Sequence, residues 1–253
     1  MTGSMDGASG SGRSSTLVSL YDEGHEEFRS DVRSVLARWS EEDFASWDRD
    51  GHVPREVFRE LGTAGVFRRR WADGRLSGLP FALVMAEEVG PLSAGLGVAL
   101  TVHAEVFIAT LSHGAASDYQ RAVVDGALDG EVIGCFAATD RRGGSDLPGV
   151  TLTATREGDG WRLTGHKAYT SNAGRATHMI MLGRAAEREE GRDLGLFLVP
   201  LDADGVNVAG FYPKLGSEAC DAALVEVDTH VGDDAVVGAI GTGLVYANMG
   251  LQL

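Results

Sequence analysis

The sequence predicts an α+β multidomain chain, in which an N-terminal α-helical domain is followed by a β-barrel domain. Two observations support this prediction. Apolar residues recur at the 3.6-residue spacing of an amphipathic helix up to about residue 130, and they alternate at the two-residue spacing of a strand after Glu131. The strand-like segments are short and are separated by glycine-rich turns, which is typical of a small barrel or sandwich.

The helical domain is assigned to residues 16–130. A buried stripe at helical spacing is predicted near its start, formed by Phe28, Val32, Val35, Leu36 and Trp39. Proline is favoured at the first position of a helix, where its missing N–H has no partner to lose, so Pro54 indicates the start of the next helix. Further helical patterns cover residues 81–89, 96–111 and 121–130.

The barrel domain is assigned to residues 131–238. Residues 132–138 are predicted to form a strand, and the alternating segment 150–170 is predicted to form a hairpin that turns at Glu157–Gly160. Three more short apolar segments bring the expected number of strands to five or six. They are residues 178–184, 194–200 and 223–227.

The two ends of the chain differ from both domains. Residues 1–15 are rich in glycine and serine and are predicted to be a disordered leader. Residues 239–253 are predicted to begin a further helix, with Leu244, Ala247, Asn248 and Leu251 along one face. This segment is therefore expected to be the first turns of a third, helical domain that is otherwise absent.

Composition restricts the possible functions. The chain has 253 residues and a net charge of −15, which argues against binding nucleic acid or an anionic membrane surface. The apolar stretch from Leu92 to Leu111 contains His103 and Glu105, so it is expected to be a buried helix. Two cysteines form no disulfide framework, which indicates a reducing cytoplasm. The histidines lack metal-ligand spacing, so no metal site is predicted.

Three motifs point to one family. They are CFAATDRRGGSD (residues 135–146), GHKAYTSNAG (165–174) and YPKLGSEACDAALVEVD (212–228). In their order and spacing, after a helical domain, they resemble the flavin-facing and late barrel motifs of the acyl-CoA dehydrogenase family. The only two lysines of the chain, Lys167 and Lys214, fall where the family pattern has lysine. The resemblance extends from about residue 16 to the end of the chain.

The resemblance implies FAD as the cofactor and names the residues that would face it. Phe136 and Ala138 would offer main-chain groups to the pyrimidine edge of the flavin, and the Thr139 hydroxyl would lie near N1 and O2. Tyr169 stands where the family has a tryptophan that packs against the flavin ring. Ser171 replaces a threonine whose hydroxyl donates to N5.

The resemblance also implies a substrate and a reaction. Ser145 would contact the pantetheine or phosphate part of an acyl thioester, carried on coenzyme A or on an acyl-carrier protein. The implied reaction is α,β-dehydrogenation, with electrons passed on to an electron-transfer acceptor. The family's Glu-Pro pair is replaced here by Asp140 and Arg141. Arg141 and the adjacent Arg142 are expected to be solvated turn residues with a possible phosphate contact.

The catalytic base is unknown from the sequence. Asp140, Asp146, Glu218 and Asp221 lie in or near the motifs, but the family pattern assigns the base to none of them. In the family, a C-terminal helical bundle carries the base and much of the FAD-binding surface. The resemblance therefore implies a truncated chain or part of a split enzyme, whose bundle comes from a homo- or hetero-oligomeric partner.

Two alternatives remain open at this point. A flavin oxidase or monooxygenase could share the fold, since Asp140, Arg141 and Tyr169 differ from the dehydrogenase pattern. A non-catalytic interaction subunit that binds an acyl thioester could also share it. The hydroxyls of Thr139, Ser145 and Ser171 favour an enzyme, because a scaffold would not need them.

Overall fold

A computed structural model describes residues 20–71, 78–189 and 191–251. The leader predicted for residues 1–15 lies outside these described residues. The described helices are α1 (Glu23–Leu36), α2 (Glu41–Asp50), α3 (Arg55–Thr63), α4 (Val66–Arg70), α5 (Leu79–Val89), α6 (Ala94–Thr101), α7 (Ala109–Gly114), α8 (Asp118–Leu128) and α9 (Gly243–Leu251). The described strands are β1 (Gly134–Ala137), β2 (Thr153–Glu157), β3 (Gly160–Ser171), β4 (His178–Ala185), β5 (Leu194–Pro200), β6 (Val206–Phe211), β7 (Ala222–Gly232) and β8 (Val236–Val237).

The first helix follows its sequence pattern except at its end. Asp22 caps α1 by accepting a hydrogen bond from the backbone of His25, and the His25 ring accepts one from the backbone of Asp22. The predicted apolar stripe is buried from Phe28 to Leu36. Trp39 lies beyond the end of the helix, however, and its ring packs edge-on against Trp47 at 5.7 Å. Its helical spacing was therefore coincidental.

From the sequence, the three consecutive arginines of the segment FRRRW (residues 67–71) predict an exposed face, and the structure shows that this prediction is wrong. Phe67 and Trp71 are buried in the core, and Arg70 is only 4% exposed. The Arg70 guanidinium donates to both carboxylate oxygens of Glu105, at 2.7 and 2.6 Å. This two-bond ion pair makes burial of the arginine possible.

One continuous helix runs through the helical region from Ala94 to Gly114. It consists of α6, a π-helical segment at Val102–Ile108, and α7. By length and composition it is the one helix of the described residues apolar enough to cross a membrane. His103, Phe107 and Ile108 are nevertheless fully buried within the protein. Such burial is typical of a helix in the core of a folded protein, as the sequence predicts.

The strands form one sheet in the order β6-β7-β3-β2-β4-β5-β8, and β1 also pairs with β4. β1 and β2 run parallel to β4 and pair with successive parts of it, Gly134–Ala137 with residues 178–181 and Thr153–Ala154 with residues 184–185. The two strands therefore lie end to end in a single position between β4 and β3. The chain leaves this position after β1 and returns at β2, so residues 138–152 form an excursion from the sheet.

The sheet curls around its own core. In a flat sheet β3 and β5 would be three strand spacings apart, about 14 Å. The rings of Trp161 on β3 and Phe197 on β5 nevertheless lie 6.0 Å apart. Residues of β4 and β5 are buried on both faces because one face covers this core and the other packs on helices. A helical region followed by a curled β-sheet domain confirms the predicted fold class.

Two strands were not predicted. β6 pairs only with β7 among the described strands, so it is an edge strand. Its residues alternate between half-buried and exposed, which explains why its apolar pattern in the sequence is weak. β8 has two residues and pairs with β5. The sheet thus has eight described strands instead of five or six.

The residues predicted along one face of α9 differ in their burial. Ala247 is fully buried, but Asn248 is exposed and Leu251 is 50% exposed. The helix instead approaches its neighbours through Gly243 and Gly250. A methyl group at Gly250 would lie 2.1 Å from the Thr110 hydroxyl of α7, so the contact is a close approach of small residues.

Candidate functional site

A pocket of about 380 Å³ lies where the excursion meets β3 and the π-helical segment. All six residues proposed as flavin or substrate contacts line it: Phe136, Ala138, Thr139, Ser145, Tyr169 and Ser171. We call this cavity the hydroxyl pocket. Its other lining residues are Val102, Val106, Gly144, Leu147, Ala168 and Leu251.

The carboxylate of Asp140 shapes the excursion at the edge of the hydroxyl pocket. It accepts hydrogen bonds from the backbone N–H groups of Arg142 at 2.9 Å and Gly143 at 3.0 Å, and from both the backbone and the hydroxyl of Thr151. Burial raises its pKa, but these donors and the ammonium of Lys167 outweigh burial and lower the pKa to about 2. Asp140 is therefore an anionic anchor for the turn.

The opposite wall comes from an irregularity in β3. The pairing of β3 with β7 shifts register between Lys167 and Thr170. Within this bulge Tyr169 has a φ of +54°, which is uncommon for a bulky residue. The bulge turns the Tyr169 ring outward, leaving it 63% exposed and stacked on Tyr212 at 4.2 Å. The ring thus offers an exposed aromatic surface at the mouth of the pocket.

The hydroxyl pocket is supplied with groups that can bind a ligand. Among the described residues, the side chains of Thr139 and Ser145 have no hydrogen-bond partner in the protein. The Ser171 hydroxyl interacts with the thiol of Cys220, whose pKa burial raises to about 11. These polar groups and the apolar remainder of the lining are the combination expected of a small-molecule site.

A second, larger cavity of about 900 Å³ adjoins the first. It lies between α5, α6, the π-helical segment and the end of α9, and most of its lining is apolar. Val102, Val106 and Leu251 line both cavities. We call this cavity the apolar pocket. Its charged wall, Glu105 with Arg70, is the ion pair described above.

Of the carboxylates considered as a base, Asp140, Glu218 and Asp221 lie elsewhere or are already engaged, and Asp146 is exposed beside Ser145 without lining the hydroxyl pocket. Asp140 is held by its four donors. Glu218 and Asp221 line a separate polar cavity with His52, and Asp221 accepts from the backbone of Gly174 at 3.1 Å. Within residues 20–71, 78–189 and 191–251, no carboxylate lines the hydroxyl pocket and no cluster could hold a metal ion.

Several residues in or beside the pocket were missed by sequence reasoning. Val102 and Val106 come from a helix that was assigned only to the core, and no local signal links them to the strands. Tyr212 was inside a recognised motif, but its stack on Tyr169 joins residues 43 positions apart in the chain, and each of the two alone indicates nothing. Gly144 belongs to the glycine turn that was expected to bring the chain close to a substrate.

Comparison with known proteins agrees with this geometry. Residues 22–131 match the acyl-CoA dehydrogenase N-terminal domain, and residues 135–229 match the acyl-CoA dehydrogenase middle domain. The chain belongs to the acyl-CoA dehydrogenase family. The first match ends just after α8, and the second begins at the second residue of β1.

Curated relatives carry names from the same family. An acyl-[acyl-carrier-protein] dehydrogenase MbtN of Mycobacterium sp. (strain MCS) is 31% identical over 87% of this chain and 58% of its own length. The human mitochondrial short-chain specific acyl-CoA dehydrogenase is 28% identical over 80% of this chain and 47% of its own length. The chain thus spans about half to three fifths of these relatives.

Solved structures share the fold. An acyl-CoA dehydrogenase from Geobacillus kaustophilus has a TM-score of 0.82 at 24% identity, covering 92% of this chain and 63% of that one. A glutaryl-CoA dehydrogenase from Mycobacterium smegmatis in complex with FADH2 has a TM-score of 0.80 at 19% identity, covering 92% and 59%. At these identities the similarity shows a shared fold only. Support for the roles of individual residues comes from the lining of the pocket.

Proposed function

We propose that this chain provides the flavin-facing and thioester-facing part of an enzyme that dehydrogenates an acyl thioester at its α and β carbons. The observation that supports this most directly is that residues far apart in the sequence come together in one pocket. Six residues from two motifs, separated by up to 35 positions in the sequence, line one pocket. That pocket adjoins a long apolar cavity, which is the arrangement that a reactive polar head and an apolar tail require.

The hydroxyl pocket has the residues to hold a flavin ring. Thr139 and Ser171 would donate hydrogen bonds to the ring edge, and the exposed face of Tyr169 would pack against the ring. Phe136 and Ala138 would present main-chain groups to the pyrimidine side. A bound FAD would supply the hydride acceptor for the β carbon. The chain's own task is to align the acyl group and to exclude water from it.

The substrate is proposed to lie across both cavities. Its acyl chain would occupy the apolar pocket, and Ser145, which is exposed, would contact the pantetheine arm. Arg141 and Arg142 are both exposed beside this serine. Their guanidinium groups could contact a phosphate of coenzyme A or of a phosphopantetheine carried by an acyl-carrier protein. The relatives named above include dehydrogenases for both carriers.

A helical partner is proposed to complete the site. α5, α6 and α9 expose a group of large apolar side chains around the apolar pocket, which is typical of an interaction surface. They are Leu79, Val98, Val245, Met249 and Leu251, which are 40–63% exposed. A helical bundle on a homo- or hetero-oligomeric partner would cover this surface and bring the catalytic base. An electron-transfer protein in the cytoplasm is the proposed final acceptor.

Titration of the purified chain with FAD tests the flavin assignment. We expect Thr139→Val and Ser171→Ala each to weaken FAD binding about fivefold, because each removes one hydrogen bond worth about 1 kcal/mol. The control is Thr155→Val, an exposed position on β2 away from the pocket. FAD quenching of protein fluorescence reports the affinity. Failure of the unsubstituted chain to bind FAD when the helical-bundle polypeptide is present, or equal affinity in all four proteins, would contradict the assignment.

Turnover tests the need for a helical partner. We expect the chain alone to oxidise acyl-CoA with an artificial acceptor at least about 100-fold more slowly than with a helical-bundle polypeptide added, because a positioned general base contributes about 10²–10⁴-fold. Robust turnover by the chain alone would overturn this expectation. Oxygen consumption in the same assay would identify an oxidase. Ligand binding without turnover in the completed complex would identify a non-catalytic subunit.

A further inference from the structure

Lys167 is the most deeply buried charged residue near the hydroxyl pocket, yet it does not line the pocket. Its side chain has no exposed surface, and its ammonium donates to the backbone carbonyl of Ala138 at 3.1 Å. Burial of an ammonium opposes its charge and lowers the pKa of Lys167 to about 8, although the nearby carboxylate of Asp140 raises it. Such a group is costly to bury unless it has fixed partners.

The position of Lys167 in the sheet explains why a donor is needed there. β1 and β2 share one sheet position, and the chain leaves that position at Ala138. A regular strand would continue and satisfy the Ala138 carbonyl from a neighbouring backbone. In the gap, the Lys167 side chain takes over that role. The next residue along β3, Ala168, donates its backbone N–H to the carbonyl of Thr139 at 3.0 Å.

Two consecutive residues of β3 thus hold two consecutive residues of the excursion. Ala138, Thr139 and Ala168 all line the hydroxyl pocket. Asp140 follows directly, 4% exposed, and its carboxylate is the negative charge beside the buried ammonium. The same carboxylate collects the backbone N–H groups of the turn that leads to Ser145.

We propose that Lys167 is a positioning residue, which orients the Ala138–Thr139 backbone and thereby the hydroxyl pocket through its bond to the Ala138 carbonyl and its charge beside Asp140. Without it, the Ala138 carbonyl would be a buried acceptor with no donor, and Asp140 a buried carboxylate with no cation. Rotation of the backbone at residues 138–140 would reduce the energetic cost of both unpaired groups. That rotation would move the Thr139 hydroxyl out of the pocket wall.

Amide hydrogen exchange of the whole chain tests this directly. Lys167→Met preserves length and removes the ammonium. We expect the amides of Arg142, Gly143 and Thr151, which donate to Asp140, to exchange at least about tenfold faster, while amides in the doubly buried β5 keep their protection. Trypsin should also cut faster after Arg141 and Arg142. Unchanged exchange at these three amides in a folded Lys167→Met variant would overturn the proposal.

Lys214→Met is the matched control, because it makes the same change at the only other lysine. The Lys214 ammonium donates to the backbone carbonyls of Ser217 at 2.5 Å and of Cys220, in a different loop. It should leave residues 138–151 protected. If Lys167→Met unfolds globally, the double variant Lys167→Met/Asp140→Asn removes the unpaired carboxylate. In it we expect faster exchange at the Gly143 and Thr151 amides than in the single variant Asp140→Asn, and equal exchange in these two variants would equally overturn the proposal.

FAD affinity supplies a second measurement, which depends on the proposed function. Lys167→Met should weaken FAD binding at least about tenfold, and Lys214→Met less than about twofold, because only the former displaces Ala138 and Thr139. Loss of exchange protection with unchanged FAD affinity would mean that Lys167 only stabilises the local fold. It would overturn the proposed effect of Lys167 on FAD binding. A chain that binds no FAD even with the helical-bundle polypeptide present would refute the proposed function, while the exchange data would still decide the placement of the backbone by Lys167.

Discussion

Replacing Gly134 with alanine is expected to lower the free energy of unfolding by about 3 kcal/mol, the upper range for overpacking a rigid core. A methyl group at Gly134 would lie 1.9 Å from the Phe107 ring, which is fully buried in the π-helical segment. Neither group can move freely, because β1 is paired with β4 and Phe107 is surrounded by core residues. Urea unfolding followed by circular dichroism measures the change.

Gly210→Ala is the control for this prediction. Gly210 lies in the edge strand β6, and nothing lies within 4 Å of a methyl group placed there. This variant should lie within about 0.5 kcal/mol of the unsubstituted protein, as surface substitutions usually do. Similar stability of the two variants would mean that β1 does not approach the helix as closely as described. Because β1 leads directly into the hydroxyl pocket, Gly134→Ala should also weaken FAD binding.

Acid should destabilise the protein through His103, by about 3 kcal/mol between pH 6.5 and pH 4. The ring is fully buried between the helical region and β1, contacting the Ala127 carbonyl through Nε2 at 3.1 Å and accepting the Gly134 N–H through Nδ1 at 3.2 Å. Burial lowers the pKa of His103 to about 4, although the bond to Ala127 raises it. The folded protein therefore holds this ring neutral.

The sign follows from proton binding. The folded pKa lies below the unfolded value, so between pH 6.5 and pH 4 the unfolded chain binds a proton at His103 that the folded chain does not. Stability is therefore present above pH 6.5 and is lost as the pH falls toward 4. His103→Gln keeps a donor and an acceptor but cannot titrate, so its stability should fall about 3 kcal/mol less over this range. His230→Gln, at an exposed ring, should behave like the unsubstituted protein. Parallel pH profiles for the His103→Gln variant and the unsubstituted protein would contradict the assignment.

Much of the architecture could be predicted because its signals are local. The hairpin of β2 and β3 turns through Gly158 and Asp159, with Glu157 paired to Gly160, where the sequence has its glycine-rich turn. Pro54 caps α3, and Val57 on its buried face is fully covered. In each case the residues that set the structure lie within a few positions of each other. Errors arose where a local pattern was overridden, as at Trp39 beyond the end of α1.

The candidate site was predictable in its residues but not in its construction. Motif resemblance indicated Thr139 and Ser171, and the structure brings both to one pocket. The motif resemblance could not predict that Arg70 is buried in an ion pair with Glu105. It also could not predict that Asp221 lies in a separate cavity, away from Asp140. These outcomes depend on which side chains meet after the helices and strands have packed.

Periodicity and motif spacing along the chain are enough to predict the order of a helical region and a β-sheet domain, and the two segments that carry the hydroxyls. How those segments are held depends on contacts that form only when the chain has folded. β1 and β2 share one sheet position, Lys167 reaches Ala138 across 29 residues, and Tyr169 stacks on Tyr212 across 43. Where a strand is interrupted, its backbone N–H and C=O groups lose their neighbours in the sheet. They must then bond to side chains or loops that tertiary packing places beside the gap. No local pattern encodes such a partner.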